Sequence, residues 1–152
     1  MATIQLSGSD IDGDQHSCTV AQLIAMFRLI AGYPEGRDLL WYAGDFEPAL
    51  GPLAPYAGPV ALPIGNTCRV LELLGSLSFY QLDFGLFAGF SLSSDPVVLH
   101  EEVSAEGEPG PRIEGSLIEV IAHDDTFIEV TTSRASILDD LRNRFPAANV
   151  IG

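Results

Sequence analysis

The side chains with the most chemical potential in this sequence are carboxylates. In "SGSDIDGDQH", Asp10, Asp12 and Asp14 occupy alternate positions ahead of His16. Alternating acids open a calcium loop of the EF-hand type. Such a loop needs acids at its first, third and fifth positions, glycine at the sixth and a bidentate Glu at the twelfth. Counted from Asp10, the sixth residue is Gln15 and the twelfth is Ala21. The sharp turn and the closing ligand are missing, so these acids read as a hydrated loop favouring the N-terminus of the helix that follows. Glu119 and Glu129 pose a second question. A turn at His123-Asp124-Asp125 pairs Val120 with Ile128 and Ile118 with Val130 on a core face. The same register sets Glu119 opposite Glu129 on the other face, where like charges destabilise a strand pair. An arginine, a cation, a raised pKa or water is expected to relieve them. A metal or acid–base pair is the sharp alternative, and exposed carboxylates bending apart in water is the plain one.

Other chemistries find little footing. His100 precedes Glu101-Glu102 and His123 precedes Asp124-Asp125. Adjacent residues on a strand point to opposite faces, so these are general-base pairs in outline only. There is no "GxSxG" and no Gly-rich phosphate loop. The spacing of Cys18 and Cys68 fits neither a zinc site nor a redox pair, and both thiols are expected to be buried, with a single disulfide as the alternative. Lysine is absent, which removes Schiff-base and lysine-dependent nucleotide chemistry. No catalytic residue, metal ligand or cofactor is therefore assigned. An enzyme would have to run on carboxylates, histidine and arginine.

The elements that must position these groups follow from periodicity. "ATIQLS" reads as a first strand, and "TVAQLIAMFRLIAG" as a helix over 19–31 with Ser17 as N-cap and Gly32 as its stop. "DLLWYAGDFEP" is a strand. Five prolines between residues 48 and 63 predict irregular chain that packs across the body. Asn66 caps a short helix, "TCRVLELL", closed by Gly75. In "FYQLDFGLFAGFSL" the residues Leu82, Phe84, Leu86, Ala88, Phe90 and Leu92 share one parity, a wholly apolar strand face. "PVVLHEEV" reads as a further strand and "SAEGEPGPRIEG" as a flexible acidic loop. "SLIEVIAH" and "TFIEVTTS" form a hairpin. "SRASILDDLRNRF" is a helix capped by Ser133, with Asp140 meeting Arg144 and Asp139 meeting Arg142. The sum is a single α+β domain over residues 1–152, a mainly antiparallel sheet of about five strands with two to three packed helices.

Charge bounds the partners. Among the 152 residues, 21 Asp and Glu face 7 arginines, a net charge of -14. Such a chain repels nucleic acid and anionic lipid, and favours a basic protein. Between Glu101 and Glu129 nine acids stand against Arg112 alone. Glu101, Glu102, Glu106, Glu108, Glu114, Asp124 and Asp125 are the expected partner-binding residues, with Asp10, Asp12 and Asp14 next. A solvated edge that deters sheet-to-sheet aggregation is the plain alternative. The N-terminus lacks a basic region and a long apolar run, and no stretch reaches the length of a membrane span, so a cytoplasmic protein is expected. Two further readings stay open. Trp41, Tyr42 and Tyr56 near the proline-rich stretch would line a small-molecule or carbohydrate site. The glycines and phenylalanines of 84–90 would pack a structural subunit against another chain.

The C-terminal third, "SLIEVIAHDDTFIEVTTSRASILDDLRNRF", resembles uncharacterised small bacterial proteins, several of immunity-protein type. In these a strand leads through an acidic turn to an aromatic-containing strand and an amphipathic helix. "WYAGDFE" and "IGNT" fit the same pattern loosely. The resemblance implies a bacterial cytoplasmic protein with a toxin-neutralising, antitoxin-like role. Its motifs are structural, so it carries no functional residue over.

Overall fold

The computed structural model describes residues 1–92 and 101–152. His100 and most of the strand expected at 96–103 lie outside these, and the described residues 101–103 are not strand. Seven strands form one sheet: β1 (Ala2–Leu6), β2 (Leu39–Glu47), β3 (Leu62–Gly65), β4 (Phe84–Ser91), β5 (Ile118–His123), β6 (Phe127–Thr132) and β7 (Asn149–Ile151). Their order is β3-β2-β4-β5-β6-β1-β7, and every neighbouring pair is antiparallel.

The α+β class stands, but the sheet has two strands more than the five expected. Both additions are short edge strands. An edge strand needs one neighbour only, so it can be brief and can hold a proline whose missing donor faces away from the ladder. This is how β3 arises inside the proline-rich segment, with Pro63 opposite Tyr42. The rest of that segment forms a 3-10 turn, Gly51–Tyr56, whose Leu53 is fully buried in the core.

Three longer helices cover one face: α2 (Val20–Ala31), α4 (Thr67–Gly75) and α5 (Ala135–Arg144). Single turns α1 (Gly8–Ile11) and α3 (Pro34–Arg37) join them, α1 forming where an acidic loop was expected. Two caps differ from expectation. Thr19, not Ser17, caps α2 in a reciprocal box with Gln22, while Ser17 Oγ accepts from Gly8 N at 2.8 Å. Arg134, not Ser133, is the N-cap of α5 and makes no side-chain cap. Asn66 caps α4 as read.

Both faces of the sheet are covered. Leu23, Phe27 and Ile30 of α2 pack with Trp41, Phe87, Val120 and Val130 in the main core. The apolar face of β4 looks the other way. Leu86, Ala88 and Phe90 join Tyr42, Ile121, Ala105 and Ile113 in a second cluster. The helix-side parity of β4 is Gly85, Phe87 and Gly89, and the glycines are required there. A Cβ at Gly85 would lie 2.6 Å from the Phe46 ring, and one at Gly89 would lie 3.2 Å from Trp41. Small residues let large aromatics from β2 lie across the strand. Among the described residues no helix is long and apolar enough to cross a membrane.

Candidate functional site

The β5–β6 hairpin turns through Asp124 and Asp125, both in the left-handed region at φ 48° and 56°, a conformation Asp tolerates better than most residues. Thr126 N donates to His123 O at 2.9 Å. Val120 pairs with Val130, Glu119 with Thr131 and Glu129 with Ile121. The expected register is therefore displaced by two residues. The faces are unchanged, because strand parity repeats every second residue. The two glutamates become diagonal neighbours instead of a facing pair.

Glu119 and Glu129 are both buried, at 0% and 1% exposure. The chain segment 101–116 folds over them. Glu119 Oε1 accepts from Arg112 N at 2.7 Å, and Oε2 accepts from Ile113 N at 3.0 Å and Ser116 Oγ at 2.6 Å. Glu129 Oε1 accepts from Gly110 N at 3.1 Å and lies 3.8 Å from Arg112 Nη1. Gln5 Nε2 donates to Glu129 Oε2 at 3.4 Å. The like-charge conflict is thus met by an arginine and by backbone amides. Arg112 is turned inward, where Nη1 also donates to Gly110 O at 2.6 Å, while Nη2 is buried and has no partner among the described residues. Two further clasps hold the segment's start: Val103 N donates to Pro59 O at 2.7 Å, and Ala105 N to Asp45 Oδ2 at 2.8 Å. The expected flexible loop is a fastened cover. Glu101, Glu102, Glu106, Glu108 and Glu114 remain exposed on it.

A second group of acids gathers at the hairpin end of the sheet. Asp125 meets Asp83 within hydrogen-bonding reach, with Asp124 and His16 close enough to act on it. Burial first, then Asp83 and Asp124, push the Asp125 carboxyl up from 3.8 to about 6. The Tyr80 hydroxyl donates to Asp14 and holds its carboxyl below the usual range, with the His16 amide assisting at 2.9 Å. His16 lies edge-on to Tyr80 at 6.0 Å. Asp12 Oδ1 accepts from Asp14 N and from Gln22 Nε2, each at 3.1 Å. Asp10 turns away and accepts from Ser7 N at 2.9 Å within α1's own cap. The three alternate aspartates therefore answer to separate donors instead of converging. Among the described residues no set of three or more His, Cys, Asp or Glu is arranged to hold a metal ion.

The structure thus sets Asp124 and Asp125 beside Asp83 and His16, sets Asp12 and Asp14 beside Tyr80, and leaves Asp10 and the five loop glutamates elsewhere. Sequence reasoning missed Asp83 and Tyr80. Their signal was available only in the pairing of Thr19 with Gln81, which seats the 80–83 segment beside the N-terminal loop. The cysteines are both free thiols. Cys18 is buried, donates to Phe127 O at 3.1 Å and is pushed up to about 12 by burial. Cys68, expected buried, is exposed at the start of α4. Trp41, Tyr42 and Tyr56 do not line one pocket. Trp41 is fully buried on the helix side with Nε1 donating to Thr67 Oγ1 at 2.8 Å, whereas Tyr42 packs on Phe90 on the opposite face.

Charge is sorted by layer. Arg28, Arg37, Arg69, Arg134, Arg142 and Arg144 belong to helices or their caps. The remaining arginine is Arg112, whose side chain is 12% exposed. The loop face and the hairpin end consequently present carboxylates without a facing arginine among the described residues. Neither protein-family models nor curated proteins nor solved structures match this chain.

Proposed function

We propose that the protein is a non-catalytic binding module that docks on a basic protein surface, an immunity or antitoxin-type protein that occludes its partner. The observation that carries this reading is the crowded carboxylate group of Asp83, Asp124 and Asp125 at the hairpin end. At neutral pH Asp125 ionises against its two neighbours. A guanidinium or ammonium group arriving there relieves that repulsion, and the uncompensated field raises the rate at which it arrives. The spread of these carboxylates suits the side chains of a protein surface better than one metal ion. The sign of the pH dependence follows. Below about pH 6 Asp125 holds a proton that a cation must displace, so binding weakens as pH falls through that value.

Stopped-flow association with an oligoarginine peptide tests the reading. Association is expected to slow with added salt, and to slow further in an Asp124→Asn, Asp125→Asn double variant. A charge-matched Glu72→Gln, Asp139→Asn double variant, on the helical layer, is expected to change it little. Equal losses from both variants would mean that net charge alone acts, and the docking site would be refuted.

A further inference from the structure

One concave site lies apart from the acid-bearing surfaces. Residues of α2 and α5, with Gly32 and Tyr33 of the turn after α2, line a cleft of about 520 Å³. Ligand sites for small molecules span roughly 300–1,000 Å³ and combine apolar walls with a few placed polar groups. The floor here is Met26, Leu29 and Phe145, with Ile11 beside them. The rim carries Arg28, Tyr33, Asp140 and Arg144.

The charges on that rim are not balanced. Tyr33 Oη donates to Asp140 Oδ2 at 2.5 Å, and Arg144 Nε donates to the same oxygen at 2.9 Å. These two donors hold the Asp140 carboxyl below the usual range, the tyrosine acting most strongly. Both donors share Oδ2, and the Arg144 guanidinium offsets the Asp140 charge, which weakens its pull on a cationic ligand. Glu35, the nearest other acid to act on Tyr33, accepts from Ser136 Oγ at 2.8 Å. Arg28 is exposed and forms no ion pair among the described residues. Counting Arg28, Arg144 and Asp140, the cleft is net positive in a chain whose charge is -14.

We propose that this cleft binds a small amphiphile with an anionic head, a carboxylate carried on an aliphatic or aromatic body. Arg28 receives the head, with the outer edge of the Arg144 guanidinium beside it, and the body lies along Met26, Leu29 and Phe145. A cationic amphiphile is opposed by the net positive charge of the lining. A sugar is disfavoured because the floor offers it no free polar partners.

Decanoate is the probe, titrated into isotope-labelled protein below its micelle concentration and followed by amide chemical shifts. Saturable shifts are expected over the cleft-lining stretches of α2 and α5. Arg28→Gln is expected to weaken decanoate by about tenfold or more, the worth of a hydrogen bond to a charged group, and to leave decanol unchanged. Ala25→Trp, which fills the cleft from an exposed helix position, is expected to abolish both. Asp124→Asn with Asp125→Asn should affect neither. Thermal unfolding of each variant confirms that it is folded. The proposal is overturned if decanoate shifts no cleft residue, if Arg28→Gln binds it as well as the parent, or if decyltrimethylammonium occupies the cleft equally.

Discussion

Removing the Glu119 carboxylate tests how the cover is held. In Glu119→Ala three donors lose their acceptor: the amides of Arg112 and Ile113 and the hydroxyl of Ser116. A buried donor left unsatisfied costs about 1–3 kcal/mol, so a cover that stayed docked would lose about 2–6 kcal/mol from the two amides alone. Undocking is the other outcome. It lets water reach those amides but exposes Ile113, Ala105 and the Phe90 face of β4, and a side chain such as Ile113 is worth about 2 kcal/mol of burial. One term opposes both, because the diagonal repulsion from Glu129 disappears. The expected net loss is about 2–3 kcal/mol, read as a lower urea midpoint. Trypsin supplies the local readout. The chain has no lysine, and Arg112 is turned inward with its side chain 12% exposed. Cleavage after Arg112 therefore reports opening of the cover, and it should be slow in the parent and fast in Glu119→Ala. Glu119→Gln retains one acceptor oxygen and should fall between them. An unchanged midpoint with no new cleavage, or a gain in stability, would show that repulsion outweighs the anchoring bonds.

Three other outcomes follow from the same structure. Because Asp125 is raised in the folded state, the fold binds its proton more tightly than the unfolded chain does, so stability falls as pH rises from about 4 to about 6. The full shift would correspond to at most about 3 kcal/mol, but Asp125 is shielded on one side only and its residue surface stays largely in solvent, so screening reduces this to about 1 kcal/mol. Asp125→Asn, which tolerates the same left-handed backbone, should recover about that much at neutral pH and nothing near pH 4, by urea unfolding at the two values. Gly85→Ala forces a methyl group against the Phe46 ring and should cost about 1–3 kcal/mol by the same measurement. Iodoacetamide should label Cys68 in the native protein and reach Cys18 only on unfolding, with peptide mass mapping as the check.

How far the fold could be read from the chain depended on what each element had to satisfy. Long elements with a regular apolar pattern were legible. α2, α4 and α5 and the five central strands announce themselves by period, because packing fixes their apolar positions. The edge strands β3 and β7 do not. Leu62–Gly65 and Asn149–Ile151 bury little, and what makes them strands is the free edge they meet. The β5–β6 register illustrates a finer limit. Parity is set by burial and was readable, but sliding the pair by two keeps Ile118, Val120, Ile128 and Val130 on the core face. Only the turn distinguishes the two, and its paired left-handed aspartates are a local backbone preference the alternation does not encode. β4 misled for another reason. Its apolar parity pointed to a core, but the sheet has one on each face, and the glycine parity is the one that meets the helices.

The acids divide by the same physical test, namely whether a donor in the chain already answers them. Glu119 and Glu129 accept from four backbone or hydroxyl donors of the cover and from Gln5, and Asp10, Asp45 and Asp140 each accept from a donor at 2.8–2.9 Å. Their geometry needs no partner molecule. Asp125 is the reverse case, a carboxyl whose nearest groups are other carboxyls. Composition alone counts these two kinds together. A chain with 21 acids therefore need not be uniformly adhesive to cations. If the distinction is sound, Asp125→Asn should weaken oligoarginine association while raising stability, whereas Glu119→Gln should lower stability without weakening association in the fraction that remains folded. Opposite signs from two acid-to-amide changes in one hairpin would separate a presented carboxylate from a structural one. Matching signs would mean that both act only through total charge.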